Sequence, residues 1–438
     1  MQSQLDAQAV SILNNNDRGG FTIPTARLYP YQWNWDSAFI ALGLATIDRQ
    51  RAWRELTMLI DGQTADGMIP SILFRNDNPD YFPGPSVWQT TASSLPTTGI
   101  SQPPVLASMI LTLVRRDQAE GLGQARLLFD AVLNWHRWYH RCRTPVGCPV
   151  VCTVHPWETG RDNSPDWALG LSSMQIDPDI GPYQRKDIEH ADPSQRPSQE
   201  EYDKYLTIVK FGRDHNWDQA TLTNQGPFLM ADPGIHFILL RADRDLLELA
   251  TLLHRFDAVP EIETWIETAI AGTDYLWNDR LKAFCARDVR SGQFANGFSN
   301  ASPLCFYAGV GSEGQQRQTL DHLKRIRGLT KFGHPSWDPQ APRFDSQRYW
   351  CGPIWPQMNY LIATGLNEQG ETELAARLRL DLRQLIELSG FYECFDPLTG
   401  SGCIGRDFSW TAALWLAWAS PAAGAFEAVS GEDEGFAS

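Results

Sequence analysis

The chain has 438 residues, 42% hydrophobic and 20% charged, enough to bury one large core or two medium ones. Its net charge of −15 argues against a nucleic-acid partner, because a phosphate polymer is repelled rather than steered. No apolar run passes about eight residues, far short of a membrane span, and residues 1–18 lack the basic-then-apolar pattern of a signal peptide, so a soluble cytoplasmic protein is expected.

Helical periodicity runs through the chain in order. Apolar residues at three- and four-residue steps predict helices over 4–15, 35–45, 49–61, 105–116 (opened by Pro104), 121–142, 235–253, 260–276, 312–329, 355–365, 374–388 and 409–419. Strand signals are short and weak, at 150–154 and 282–288. About a dozen helices in pairs make the expected fold class all-α. Three long stretches carry no helical pattern: 63–102, 156–226 and 330–356. Loops of that length are uncommon in compact domains unless they form lids or binding surfaces. No low-complexity linker divides the chain, so one domain over 1–421 is expected, with 156–226 as a loop-rich cap. Residues 422–438 are small and acidic and are expected to form a disordered tail.

Eight cysteines in this length do not make a disulfide framework, and Cys142, Cys148 and Cys152 lack CxxC spacing, so they read as reduced thiols. Gly309, Gly311 and Gly314 spell GxGxxG without the strand and βαβ unit a dinucleotide site needs, and read as a turn and helix cap. His136 and His140 stand four apart but enclose no glutamate; with Trp135, Trp138 and Tyr139 around them, a packed aromatic helix is the simpler account than a metal site.

Three segments carry chemistry. Residues 29–37 crowd four aromatics, two amides and Asp36 before a helix, a composition that suits sugar faces and hydroxyls. Residues 155–165 hold Glu158 and Asp162 in a Gly/Pro-bounded loop with Trp157, and 390–400 hold Glu393 among aromatics, expected in a loop after a long helix. Two loop carboxylates in an aromatic pocket are what glycosidic cleavage needs: a protonated acid for the leaving oxygen and an ionised partner opposite.

The segments YPYQWNWDSAF (29–39), GQTADGMIP (62–70), GISQPPV (99–105), HPWETGRDNSPDW (155–167), RPSQEEYDKYL (196–206), YWCGPIWPQMNYL (349–361), ECFDPLTG (393–400) and FSWTAA (408–413) together resemble glycoside hydrolase family 63, in its mannosylglycerate and glucosylglycerate hydrolase group. The resemblance spans nearly the whole chain. It implies an (α/α)₆ barrel and an inverting glycosidase with Asp162 as general acid and Glu393 as general base. It places Tyr29, Trp33, Trp35, Asp36, Gln102 and Trp350 around the glycone. Arg196, Tyr202 and Tyr81 stand where relatives hold a glycerate carboxylate, and Tyr349 adds a hydroxyl donor. Independently, a guanidinium fork suits a carboxylate; the competing reading pairs Arg196 with Glu200 or Glu201 at the surface.

The implied substrate is a small anionic glycoside, glucosylglycerate or mannosylglycerate, cleaved to hexose and D-glycerate with no metal and no cofactor. No nucleic-acid or membrane partner is implied, and a homo-oligomer is compatible with the motifs. Three positions depart from the family pattern: Cys351 where relatives commonly carry Arg, Arg161 in place of an apolar residue before Asp162, and Phe408 where some relatives carry an amide. A cation at Arg161 would lower the acid's pKa unless its side chain points away. Three alternatives stay open: hydrolysis of another short α-glucoside or α-mannoside, a sugar isomerase or epimerase with His155 as its histidine, and a non-catalytic sugar-binding protein.

Overall fold

In the computed structural model, which describes residues 2–423, helices dominate and the strands are short. The tail expected at 422–438 lies outside the described residues beyond its first two. The helices that organise the molecule are α1 (Gln2–Asn16), α2 (Asn34–Leu44), α3 (Arg49–Ile60), α4 (Leu106–Arg116), α5 (Gln118–Cys142), α6 (Gln199–Asp214), α7 (Pro233–Leu252), α8 (Val259–Gly272), α9 (Leu304–Ala308), α10 (Glu313–Arg327), α11 (Pro356–Glu368), α12 (Thr372–Ser389) and α13 (Ser409–Leu414). Among the described residues no helix is long and apolar enough to cross a membrane.

Helices α2, α4, α7, α9, α11 and α13 pack in succession, and α13 returns to pack on α2, closing a ring. The ring members are apolar on nearly every side: all of α2 is buried, as are eight of the eleven residues of α4. Outside it, α3 covers α2, α5 covers α4, α8 covers α7, α12 covers α11 and α1 covers α13. These outer helices bury one stripe only, such as Ala52, Trp53, Leu56 and Leu59 of α3. Two glycines permit the closest approaches in the ring. A Cβ on Gly43 of α2 would sit 2.3 Å from the Cα of Ala413, and one on Gly365 of α11 would sit 2.2 Å from the backbone nitrogen of Tyr307.

Two expectations are corrected. The stretch 156–226 is not free of helix: it contains α6, of sixteen residues, and Gln219–Gln225. Ser198 and Glu201 form a reciprocal capping box that starts α6, and Tyr202, Tyr205, Leu206, Val209 and Gly212 form its buried face. The charged, proline-rich run before it masked that periodicity. Glu393, expected in a loop, lies on a strand of a hairpin, β3 (Tyr392–Phe395) against β4 (Gly402–Arg406); an earlier pair, β1 (Gln32–Trp33) and β2 (Ile72–Leu73), leads into α2. The helix expected over 409–419 changes at Trp415 to a π-helical turn through Ala419.

Other readings fare more simply. Gly309 caps α9 in the left-handed region at φ 66°, and Ser312 caps α10. His136 Nδ1 and His140 Nε2 both meet the buried Asp243 carboxylate of α7, at 2.7 and 3.0 Å, so the pair joins α5 to α7. The Cys148 and Cys152 sulfurs stand 3.4 Å apart as thiols.

Candidate active site

The ring exposes the N-terminal ends of its helices to one cavity. Trp35 and Asp36 come from the first turn of α2, Gln102 from just before α4, Trp355 from just before α11, and Phe408 and Trp410 from the start of α13. The loop 155–165 supplies Trp157, Gly160 and Asp162; the β3–β4 hairpin supplies Glu393; the segment before α6 supplies Lys186, Asp187 and Arg196. Of the residues singled out in the sequence, Tyr29, Trp33, Trp35, Asp36, Tyr81, Gln102, Asp162, Arg196, Tyr202, Tyr349 and Glu393 line this cavity together. Trp350 does not: it stacks face to face on Trp355 at 3.7 Å, and Trp355 lines the cavity in its place.

Two carboxyls face this space. Glu393 is 1% exposed, and burial pushes its pKa up to about 7 against the charge of Arg196 and the donations of Tyr29 Oη (3.1 Å) and Gly405 N (3.3 Å). Asp162 is also raised by burial to about 7, opposed first by Arg196. A line of phenols joins them. Tyr29 Oη lies 3.1 Å from Tyr349 Oη, and Tyr349 reaches the Asp162 carboxyl. Each phenol has one proton. Tyr29 gives its proton to Glu393, and the hydrogen bond from Tyr349 lowers the Asp162 pKa against burial, as a phenol donating to that carboxyl does. Each carboxyl therefore has a phenol donor of its own, and burial raises both to about 7. Tyr349 sits at φ 38°, an unfavourable backbone for a non-glycine residue, with its carbonyl accepting from Trp355 Nε1.

Asp36 is a third buried carboxyl, raised well above its ordinary range by burial and then by the Glu393 charge. Arg196 is the buried cation. Its Nη1 donates to Tyr29 Oη at 2.9 Å, its Nε to Asp187 at 3.0 Å, and its plane covers the Tyr349 ring at 4.3 Å. The surface pairing with Glu200 or Glu201 does not form: Glu200 holds Lys204, and Glu201 holds Arg348. Of the Arg196 donors only Nη2 lacks a partner among the described residues, so the two-pronged fork expected from the sequence is already half spent. Tyr202 likewise spends its hydroxyl on the Phe82 carbonyl at 3.2 Å.

Two candidates of the sequence lie elsewhere. Glu158 is gripped by Arg143 at 2.8 and 2.9 Å in the core and supports the loop that ends in Asp162. His155 is fully buried: its Nε2 meets the Tyr205 carbonyl at 3.1 Å, its Nδ1 accepts from Trp157 N, and burial holds its pKa at about 3. A neutral ring with both nitrogens engaged is no acid or base. Arg161 turns away from the cavity into a fully buried cluster with Asp166 (2.5 Å) and Asp232 (2.6 Å). Phe408 packs edge-on to Tyr29 at 5.9 Å, and Cys351 gives its thiol to the Asn163 carbonyl at 3.3 Å. Sequence reasoning passed over Asp187, which sits in an irregular charged run and is marked only by its contact with Arg196.

Paired buried carboxyls in an aromatic cavity, both raised to about 7, are the equipment of a glycosidase. Residues 29–411 match the model of the mannosylglycerate hydrolase MGH1-like glycoside hydrolase domain. The chain is 42% identical over 420 residues to mannosylglycerate hydrolase MGH1 of Selaginella moellendorffii, covering 95% of this chain and 86% of that one. It is 33% identical over 441 residues to the glucosylglycerate hydrolase of Mycolicibacterium hassiacum, covering 95% and 98%. The crystal structure of a family 63 mannosylglycerate hydrolase from Thermus thermophilus, in complex with Tris and D-glycerate, superposes with a TM-score of 0.90 at 41% identity, covering 94% of this chain and 99% of that one. The chain belongs to the mannosylglycerate hydrolase MGH1-like glycoside hydrolases of family 63.

Proposed function

We propose that this protein hydrolyses glucosylglycerate or mannosylglycerate to the hexose and D-glycerate with inversion, as one catalytic domain over residues 1–421 built as an (α/α)₆ barrel. The closed ring of helices with its outer partners supports the barrel. The observation that carries the reaction is the ordered line Asp162, Tyr349, Tyr29, Glu393. Two phenols stand between the two carboxyls, so the acids face the cavity apart from one another rather than in contact.

Asp162 protonates the glycosidic oxygen as the bond breaks, and Glu393 takes a proton from the water that attacks the opposite face of the anomeric carbon. The Asp36 carboxyl and Gln102 offer hydrogen bonds to sugar hydroxyls, and Trp33, Trp35 and Trp355 give apolar surface. In the acceptor half Arg196 Nη2 and the Tyr81 hydroxyl are the donors left for the glycerate carboxylate, with Tyr202 as packing. These steps call for no metal or cofactor. A sugar isomerase loses its one candidate histidine with His155, and a binding protein has no use for two carboxyls buried at a raised pKa.

The test is proton NMR of the protein with glucosylglycerate and, separately, with mannosylglycerate. The β-hexose should appear first from at least one of them. First appearance of the α-hexose would overturn inversion, and no reaction with either would overturn the acceptor.

A further inference from the structure

The acceptor half of the cavity holds a carboxylate that no step of the reaction uses. Asp187 lines the cavity beside Arg196, accepting from Arg196 Nε at 3.0 Å. A second guanidinium lies behind it: Arg185 donates to both Asp187 oxygens at 3.0 and 2.7 Å and to the Pro197 carbonyl at 2.8 Å, and covers the Tyr202 ring at 4.5 Å. All three side chains are at most 10% exposed. The two cations hold the Asp187 carboxyl below its usual range, so it is charged. Further out, Lys186 is paired with Glu189, and Arg27 and Asp80 on the rim carry opposite signs. The buried cluster of Arg185, Asp187 and Arg196 therefore carries one net positive charge in a protein of net charge −15.

We propose that Asp187 sets the charge this pocket accepts: by cancelling one of two buried guanidiniums, it matches the acceptor end to a single negative charge and makes the protein selective for glycosides of monoanionic 2-hydroxy acids over those bearing a second anionic group. The inference rests on the acceptor reading above and adds to it a residue and a selection rule. A second negative group entering beside this cluster finds its compensation already spent on Asp187, and meets that carboxylate as a like charge in a water-poor site. Asp187 acts through Arg196 and touches no reacting atom.

The experiment compares two competitive inhibitors on one carbon frame: D-glycerate, a monoanion at pH 7, and tartronate, in which the hydroxymethyl group is replaced by a second carboxylate. Wild-type protein should bind D-glycerate more tightly, by about tenfold or more. Asp187→Asn should move the ratio of inhibition constants toward tartronate by on the order of tenfold, while Arg185→Gln should move it the other way. A general loss of structure would weaken both inhibitors together and leave the ratio alone. Equal or tighter binding of tartronate by the wild type overturns the proposal, as does a ratio unchanged within about twofold in either variant. If D-glycerate fails to inhibit the wild type while a glycoside is still hydrolysed, the acceptor assignment itself falls, and this inference with it.

Discussion

Replacing Tyr29 by Phe removes one oxygen that touches three functional groups: it donates to Glu393 at 3.1 Å, accepts from Arg196 at 2.9 Å and meets Tyr349 at 3.1 Å. The ring itself stays, packed on Trp33 and Phe408. Tyr29 stabilises the ionised form of Glu393, so its loss raises that pKa from about 7. A hydrogen bond to a charged group contributes about 1.5–3 kcal/mol, but Gly405 N and the Arg196 charge remain, and a rise of about one pKa unit follows. The ionised fraction at pH 7 then falls from about a half to about a tenth, a roughly fivefold loss from titration alone. The sign is definite: the base must be ionised, so the acidic limb of the kcat/KM profile moves to higher pH by about one unit. Measuring kcat/KM from pH 5 to 9 on the better of the two glycosides reads this directly. An acidic limb that does not move, with kcat/KM within about twofold of wild type throughout, would refute the hydrogen-bond line as the device that keeps Glu393 ionised.

Other expectations follow from the same geometry. Asp162→Asn should abolish turnover while leaving D-glycerate binding measurable by calorimetry; unchanged turnover would remove Asp162 as the acid. Glu393→Gln should lose activity yet gain stability at pH 8. The folded pKa is raised above the unfolded one, so this carboxyl's contribution is present below about pH 4 and lost as pH rises towards 7, a cost on the order of 3 kcal/mol that the amide avoids; urea midpoints at pH 8 and pH 5 should show the variant's advantage only at pH 8. Arg161→Met leaves Asp166 and Asp232 buried without their cation and should cost about 3–5 kcal/mol, read by urea denaturation; a cost under about 1 kcal/mol would show that the cluster is not holding the Asp162 loop. Gly43→Ala forces a methyl against Ala413 and should cost about 1–3 kcal/mol or more in the same assay.

The outline of the molecule was legible because helical periodicity is a local property. The stripes of α7 and α12 read directly from the order of their leucines and isoleucines. The cap was not legible in the same way. Helix α6 begins after a run dense in proline and charge, and its buried face is built partly from tyrosines, which a reading based on aliphatic periodicity passes over. The Glu393 hairpin was missed because β3 pairs with a strand beyond an intervening turn, and four or five residues are too few to show alternation.

What the residues determine by themselves is chemical type: an all-helical chain, two acids in distant motifs, aromatics beside amides, and an arginine in a motif of an acidic chain. Only the tertiary structure decides which groups share a medium. It brings Asp162 and Glu393 from 231 positions apart to the two ends of one line of phenols, where a common low-dielectric cavity raises both. It sends Glu158, four residues from Asp162, into the core against Arg143, and His155 into a neutral structural role. It also pairs Arg196 with Asp187 rather than with a surface glutamate. Charge, burial and hydrogen-bond direction depend on neighbours in space, and those neighbours are set by how the helices close.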